Sequence, residues 1–71
     1  MSDTVKNTVY NLRSKLGVTQ EELADAVDIT RQTVIAIEKG NYTPSVLLAI
    51  KIANFFKKPV EEIFEIHHGK K

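Results

Sequence analysis

Residues 19 to 40, TQEELADAVDITRQTVIAIEKG, constrain the fold more than any other stretch of the chain. Thr19 stands three residues before Glu22, which is the spacing of a capping box, where a hydroxyl and a carboxylate each accept a backbone N–H of the first helical turn. The apolar residues that follow share one helical face: Leu23, Ala24 and Val27. The pattern predicts a short amphipathic helix over residues 19–27.

A second short helix is predicted directly after the first. Thr30 offers another N-cap after a corner of two residues, and Gly40 marks the end of the helix as a left-handed C-cap. Between them Val34 and Ile37 repeat at helical spacing. Asp28, in the corner, is expected to adopt a left-handed backbone, which Asp tolerates better than most residues do. Two short helices joined by a tight corner form a helix-turn-helix.

The first turns of these two helices carry opposite charges. The first helix begins with Gln20-Glu21-Glu22, which places negative charge at the positive end of the helix dipole, whereas the second begins with Arg31-Gln32-Thr33. A cation at that end opposes the dipole and costs roughly 0.3–1 kcal/mol on an exposed helix. A guanidinium, a carboxamide and exposed amides at one helix end suit an anionic partner with hydrogen-bonding edges, which indicates DNA.

The chain also matches a known family along most of its length. The matching segments are Asn11-Leu12-Arg13, Thr19 to Ala24, Arg31-Gln32-Thr33, Ile37 to Gly40, Tyr42, Pro44-Ser45, Lys51-Ile52-Ala53 and Glu62-Ile63-Phe64. In these segments the chain resembles the phage-repressor, or Cro-type (xenobiotic-response-element), helix-turn-helix regulators, and most closely their compact single-domain repressors. The resemblance implies an all-α fold, a five-helix lambda-repressor-like DNA-binding domain over residues 1–71, in which the chain ends can pair into a small β-ribbon.

The spacing of apolar residues before the motif predicts the first helix of the domain. Val9, Leu12 and Leu16 keep helical spacing in a helix expected to begin at Val5 or Lys6, and Gly17 ends it. Thr4-Val5-Lys6 near the start and Ile66 near the end also have the alternation of strands, so a terminal ribbon remains an alternative for these residues.

Two further helices are predicted after the motif. Ser45 caps a long helix whose core stripe is Val46, Ala49, Ile52, Ala53 and Phe56, with Leu48 beside it. Lys57 stands where a left-handed C-cap is expected, and Pro59 sets the start of a last helix over Val60 to Phe64.

Two sets of side chains are predicted to contact DNA. For base edges the candidates are the outward residues of the second motif helix: Arg31, Gln32, Thr33, Ile35 and Ala36. Arg can donate two hydrogen bonds to guanine, Gln can pair with adenine, and an apolar side chain can meet a thymine methyl. For phosphates the resemblance implies Gln20, Lys39, Asn41 and Tyr42. It also implies a partly buried structural ion pair between Arg13 and Glu38.

Length and composition bound the remaining predictions. Seventy-one residues give a small core, so a homodimer is expected, through apolar residues of about 55–66: Phe55, Val60, Ile63, Phe64 and Ile66, with Leu16 and Leu47 as weaker candidates. A net charge of +1 means that any positive surface must come from the placement of charges. The absence of a signal peptide or membrane-length apolar run predicts a cytoplasmic protein.

The resemblance implies that the protein represses transcription, and other functions are alternatives to this one. An enzyme is not expected, because the chain has no cysteine and its carboxylates stand at helix starts where capping explains them. No cofactor or metal is expected either, since the adjacent His67 and His68 would point to opposite faces of a strand. An antitoxin or protein-binding adaptor with the same fold remains open, and so does a controller protein of a restriction-modification system.

Overall fold

The computed structural model describes residues 3–68 as five helices and two short strands. In chain order they are β1 (Thr4–Asn7), α1 (Val9–Leu16), α2 (Gln20–Val27), α3 (Arg31–Glu38), α4 (Val46–Phe56), α5 (Val60–Ile63) and β2 (Phe64–His67). The predicted five-helix architecture is confirmed, and the terminal ribbon is present, because β1 and β2 pair antiparallel. The predicted domain also includes residues 1–2 and 69–71, which lie outside the described residues.

The helix starts that the sequence predicts are formed by side-chain caps. Thr19 Oγ1 accepts the Glu22 N–H at 3.0 Å, while the Thr19 N–H donates to Glu22 Oε1 at 2.8 Å, so the capping box of α2 is complete. Thr30 Oγ1 caps α3 by accepting the Thr33 N–H at 3.2 Å, and Ser45 caps α4. These caps fix where α2, α3 and α4 begin.

The ends of α1 to α4 lie at or beside a left-handed residue, as predicted. Gly17 has φ of 72° after α1, Asp28 has φ of 64° after α2, and Lys57 has φ of 58° after α4. Gly40, with φ of 81°, follows Lys39 at the end of α3. The chain therefore reverses tightly between helices, which holds α2 and α3 against each other.

The core lies where the helices meet. Its buried hydrophobic residues are Val9, Leu23, Ala24, Val27, Val34, Ile37, Leu48, Ile52, Ala53, Phe56 and Ile63. The prediction that Val46 belongs to the core stripe of α4 is wrong, since its side chain is 76% exposed and Leu48 is buried instead. The buried face of α4 runs through Leu48, Ile52 and Phe56, which rotates Val46 toward solvent.

The chain start differs from the predicted helix. α1 begins at Val9 rather than at Val5 or Lys6, because those two residues pair with β2 in the ribbon. Asn7 marks the boundary: its Oδ1 accepts the Val9 N–H at 3.1 Å, and its Nδ2 donates to the Ile37 carbonyl oxygen at 2.9 Å. At the other end α5 stops at Ile63. No helix within residues 3–68 has the length and hydropathy needed to cross a bilayer.

Candidate nucleic-acid interface

The first turn of α3 presents two polar side chains to solvent. Thr30 satisfies the backbone of this turn, so Arg31 and Gln32 are not needed as caps. Both residues are exposed, and neither side chain has a hydrogen-bond partner within residues 3–68. A guanidinium with five donors and a carboxamide with two donors and an acceptor are thus available to an external ligand. They stand at the positive end of a helix dipole.

The other three residues predicted to read bases are less accessible. Thr33, Ile35 and Ala36 are half-buried, because α3 packs its Val34 and Ile37 face into the core. The Thr33 hydroxyl lies 3.0 Å from the Thr30 hydroxyl, so part of its hydrogen-bonding capacity is used within the cap. The predicted base-reading set therefore divides into two exposed residues and three half-buried ones.

Three residues predicted to contact phosphate lie together after α3. Lys39, Asn41 and Tyr42 are all exposed, and Tyr42 has 44% of its surface accessible. The left-handed Gly40 turns the chain here, and the Asn41 N–H donates to the Ala36 carbonyl oxygen at 2.9 Å. This backbone hydrogen bond holds the loop against the end of α3 while its side chains remain accessible.

The fourth residue predicted to contact phosphate, Gln20, already has a partner inside the protein. It is the first residue of α2 and is half-buried. Its Nε2 donates to Glu38 Oε1 at 3.1 Å. Gln20 therefore lies beside the end of α3 and contacts the Arg13–Glu38 ion pair, a contact that the sequence analysis does not predict.

Arg13 and Glu38 form a bidentate pair between α1 and α3. Arg13 Nε donates to Glu38 Oε2 at 2.7 Å and Arg13 Nη2 donates to Glu38 Oε1 at 3.2 Å. The two side chains are only 12% and 7% exposed. The hydrogen bond with Glu38 raises the pKa of Arg13 further above its usual high value, although burial acts in the opposite direction. Arg13 Nη1 also donates to the Val18 carbonyl oxygen at 3.0 Å.

The profile of the helix-turn-helix family matches residues 9–63. The chain belongs to the helix-turn-helix family. The resemblance to the Cro-type regulators is thereby confirmed, and the family is one of DNA-binding transcription regulators.

Proteins similar to this helix-turn-helix chain come from bacteria, archaea and a phage. An uncharacterized HTH-type transcriptional regulator of Bacillus subtilis, YgzD, is 52% identical over 60 residues, which are 84% of this chain and 91% of that protein. The cryptic phage CTXphi transcriptional repressor RstR of Vibrio cholerae is 31% identical over 55 residues, or 78% of this chain and 50% of that one. Among solved structures, the restriction-modification controller protein C.AhdI from Aeromonas hydrophila is similar, with 28% identity and a TM-score of 0.71. The match covers 76% of this chain and 82% of that one.

The residues predicted to form a dimer interface differ in how exposed they are in the monomer of this helix-turn-helix fold. Ile63 is 1% exposed and lies inside the core, so its assignment to an interface is corrected: it packs within the monomer. Phe55, Val60 and Phe64 are half-buried against the core, and Ile66 on β2 is 61% exposed. Phe64 opens β2 instead of ending the last helix.

Two polar residues of this helix-turn-helix protein have structural contacts that the sequence did not predict. Asn7 links the start of α1 to the end of α3, as described above, and Gln20 contacts Glu38. Asn7 stands two residues before Val9, where an Asn can accept a helical N–H, so the start of α1 could have been recognised from the sequence. The contact between Gln20 and Glu38 spans 18 positions, and no local pattern indicates it.

Proposed function

We propose that this protein is a transcriptional repressor that binds a near-palindromic operator as a homodimer, with α3 in the major groove. The observation that carries the proposal is the first turn of α3, where Arg31 and Gln32 are exposed and have no partner within residues 3–68. A cation at this helix end destabilises the isolated protein. Its placement is explained if the guanidinium serves a ligand.

In the proposed complex Arg31 and Gln32 read base edges. Arg can donate two hydrogen bonds to guanine O6 and N7, and Gln can pair with adenine N6 and N7, each good contact discriminating by about 1–3 kcal/mol. Ile35 and Ala36 retain partial exposure, which allows contact with a thymine methyl. Thr33 contributes less, because its hydroxyl already lies beside that of Thr30.

The same orientation would bring two groups of residues to the sugar–phosphate backbone. Lys39, Asn41 and Tyr42 are exposed in the loop after α3, and Gln20 lies at the start of α2. Such contacts set the register of a helix in the groove and carry no sequence information themselves. Phosphate contacts on either side of the base-reading turn are the arrangement expected for helix-turn-helix binding.

A dimer follows from the size of this surface, because one helix reads too few base pairs for useful specificity. Two half-sites would lie about 34–36 Å apart, one turn of the duplex. For the interface we propose the apolar side chains around the end of α4, α5 and β2, namely Phe55, Val60, Phe64 and Ile66. Occupation of an operator at a promoter would obstruct polymerase, which gives repression.

One experiment tests the proposal against its alternatives. Selection of duplexes from a random pool, followed by binding measurements at several salt concentrations, is expected to recover a near-palindromic sequence and a linear fall of log K with log salt. A protein-binding adaptor would show no sequence-selective component, and sedimentation would show whether the bound species is a dimer. The similarity to C.AhdI supports a controller protein as the second candidate. A reporter assay separates the two, because a controller can activate transcription whereas a repressor lowers it.

A further inference from the structure

The Glu38 carboxylate collects hydrogen bonds from two other helices. Its Oε2 accepts from Arg13 Nε at 2.7 Å, and its Oε1 accepts both from Arg13 Nη2 at 3.2 Å and from Gln20 Nε2 at 3.1 Å. Arg13 belongs to α1, Gln20 to α2 and Glu38 to α3. One partly buried carboxylate thus contacts side chains of both other helices, and on α2 the contact is with its first residue.

We propose that Glu38 is a positioning residue for DNA binding: held in place by Arg13, it fixes the orientation of the Gln20 carboxamide before the DNA arrives. The inference rests on the proposed function, in which Gln20 contacts a backbone phosphate. It adds a role in ligand binding to a carboxylate that otherwise has only a structural one.

The chemistry of the partners determines which end of the carboxamide faces Glu38. A carboxylate accepts hydrogen bonds and cannot donate them, so the NH₂ group of Gln20 faces Glu38 and the carbonyl oxygen does not. One of the two N–H bonds of that group is used by Glu38. The other remains for an acceptor such as a phosphate oxygen, together with the backbone N–H of Gln20, which has no acceptor in the first turn of a helix.

Arg13 makes this arrangement compatible with a nearby phosphate. An unpaired carboxylate would repel the DNA backbone, but the bidentate guanidinium compensates its charge. The pair is largely shielded from water, with exposures of 12% and 7%, so salt screens it less than it screens an exposed pair.

Fixing the side chain in advance favours binding. A glutamine loses rotamer freedom when it is ordered, and if that ordering took place on DNA binding it would weaken association by roughly tenfold. Because Glu38 already orders Gln20 in the free protein, this loss is largely avoided. Without Glu38, the contact of Gln20 with phosphate should contribute little.

A double-mutant cycle in DNA binding tests this coupling. Gln20→Ala alone should weaken operator binding about tenfold, the expected loss for one hydrogen bond to a charged group. In the Glu38→Ala background, which removes the acceptor of Gln20 Nε2, the same change should weaken binding less than about twofold. Equal losses in both backgrounds would overturn the proposal, since a carboxylate that only stabilises the fold gives additive effects once both variants are shown to be folded. A wild-type protein that binds no duplex refutes the proposed function instead.

The second measurement needs no variant that could fail to fold. The chain has two glutamines, and Gln32 is a matched control because it is exposed and its carboxamide has no partner within residues 3–68. NMR relaxation measures the order parameters of the side-chain NH₂ groups in the free protein. Gln20 should be as rigid as the backbone, with an order parameter near about 0.85, whereas that of Gln32 should be roughly 0.6 or lower. Equal mobility of the two carboxamides would overturn the proposal.

Discussion

Two arginines of this domain have opposite surroundings. Every nitrogen of the Arg13 guanidinium donates a hydrogen bond inside the protein, to Glu38 or to the Val18 carbonyl oxygen, and the Tyr10 ring centroid lies 5.3 Å from its central carbon. Arg31 is exposed and has no partner within residues 3–68. Arg13 lies in the last turn of α1, where a cation suits the helix dipole, whereas Arg31 opens α3, where it does not. The fold uses the donors of Arg13 and leaves those of Arg31 exposed to solvent.

The largest expected effect separates the two arginines by stability. Arg13→Ala should lower the free energy of unfolding by about 3 kcal/mol, the lower end of the range for a broken buried pair, because it leaves the partly buried Glu38 carboxylate without its counter-ion. Arg31→Ala should change it by less than about 0.5 kcal/mol, since nothing in the protein depends on that side chain. Denaturant unfolding measures both. Similar losses from the two variants would show that the contrast between them is wrong.

DNA binding should separate Arg31, which is expected to contact bases, from Lys39, which is expected to contact phosphate. Arg31→Ala and Gln32→Ala should each lose about 1–3 kcal/mol of discrimination at a particular base pair. Lys39→Ala should weaken binding to all sequences alike and lower the slope of log K against log salt by about 1, because one phosphate contact is lost. Measuring each variant against operators with single base changes would test this division. Uniform losses from all three variants would contradict it.

Reversing the charge at the start of α3 should improve the free protein and impair the complex. Arg31→Glu removes a cation that costs roughly 0.3–1 kcal/mol and places an anion of similar worth at the positive helix end, so the domain should gain about 0.6–2 kcal/mol at low salt. The same variant should lose operator binding, since a carboxylate cannot donate to guanine and would repel phosphate. Thermal unfolding and DNA titration of one sample test both expectations. A loss of stability would mean that Arg31 has a structural role.

The parts of the fold that the sequence predicted correctly depend on local interactions. The caps at Thr19, Thr30 and Ser45 and the left-handed Asp28 and Lys57 each involve hydrogen bonds within a few positions along the chain. The helical spacing of apolar residues in the motif is also a local feature of the sequence. Such features can be read from spacing alone, which explains why the sequence predicts α2 and α3 accurately.

The errors concern residues whose surroundings come from distant parts of the chain. Val46 has the helical spacing of the predicted core stripe, yet its side chain is exposed because the face of α4 that contains Leu48 packs into the core. The sequence predicts Ile63 at an interface, whereas the monomer buries it, and no local pattern distinguishes these two places for an apolar side chain. The candidate site has the same division: the exposure of Arg31 at the start of α3 follows from its local position, but the contact of Gln20 with Glu38 depends on the assembly of the helices.

The smallest expected effect concerns a third cation, Lys57, which is constrained through its backbone. It ends α4 with φ of 58°, and a left-handed conformation costs a residue with a side chain roughly 1–2 kcal/mol. Lys57→Gly removes that strain but adds freedom to the unfolded chain, which offsets roughly 0.5–1 kcal/mol, so the net gain in stability should be about 0.5 kcal/mol. Asp28→Gly is the matched control, with φ of 64° at the end of α2. Because Asp tolerates this conformation better, its gain should be smaller, and a larger gain at Asp28 than at Lys57 in denaturant unfolding would refute this explanation.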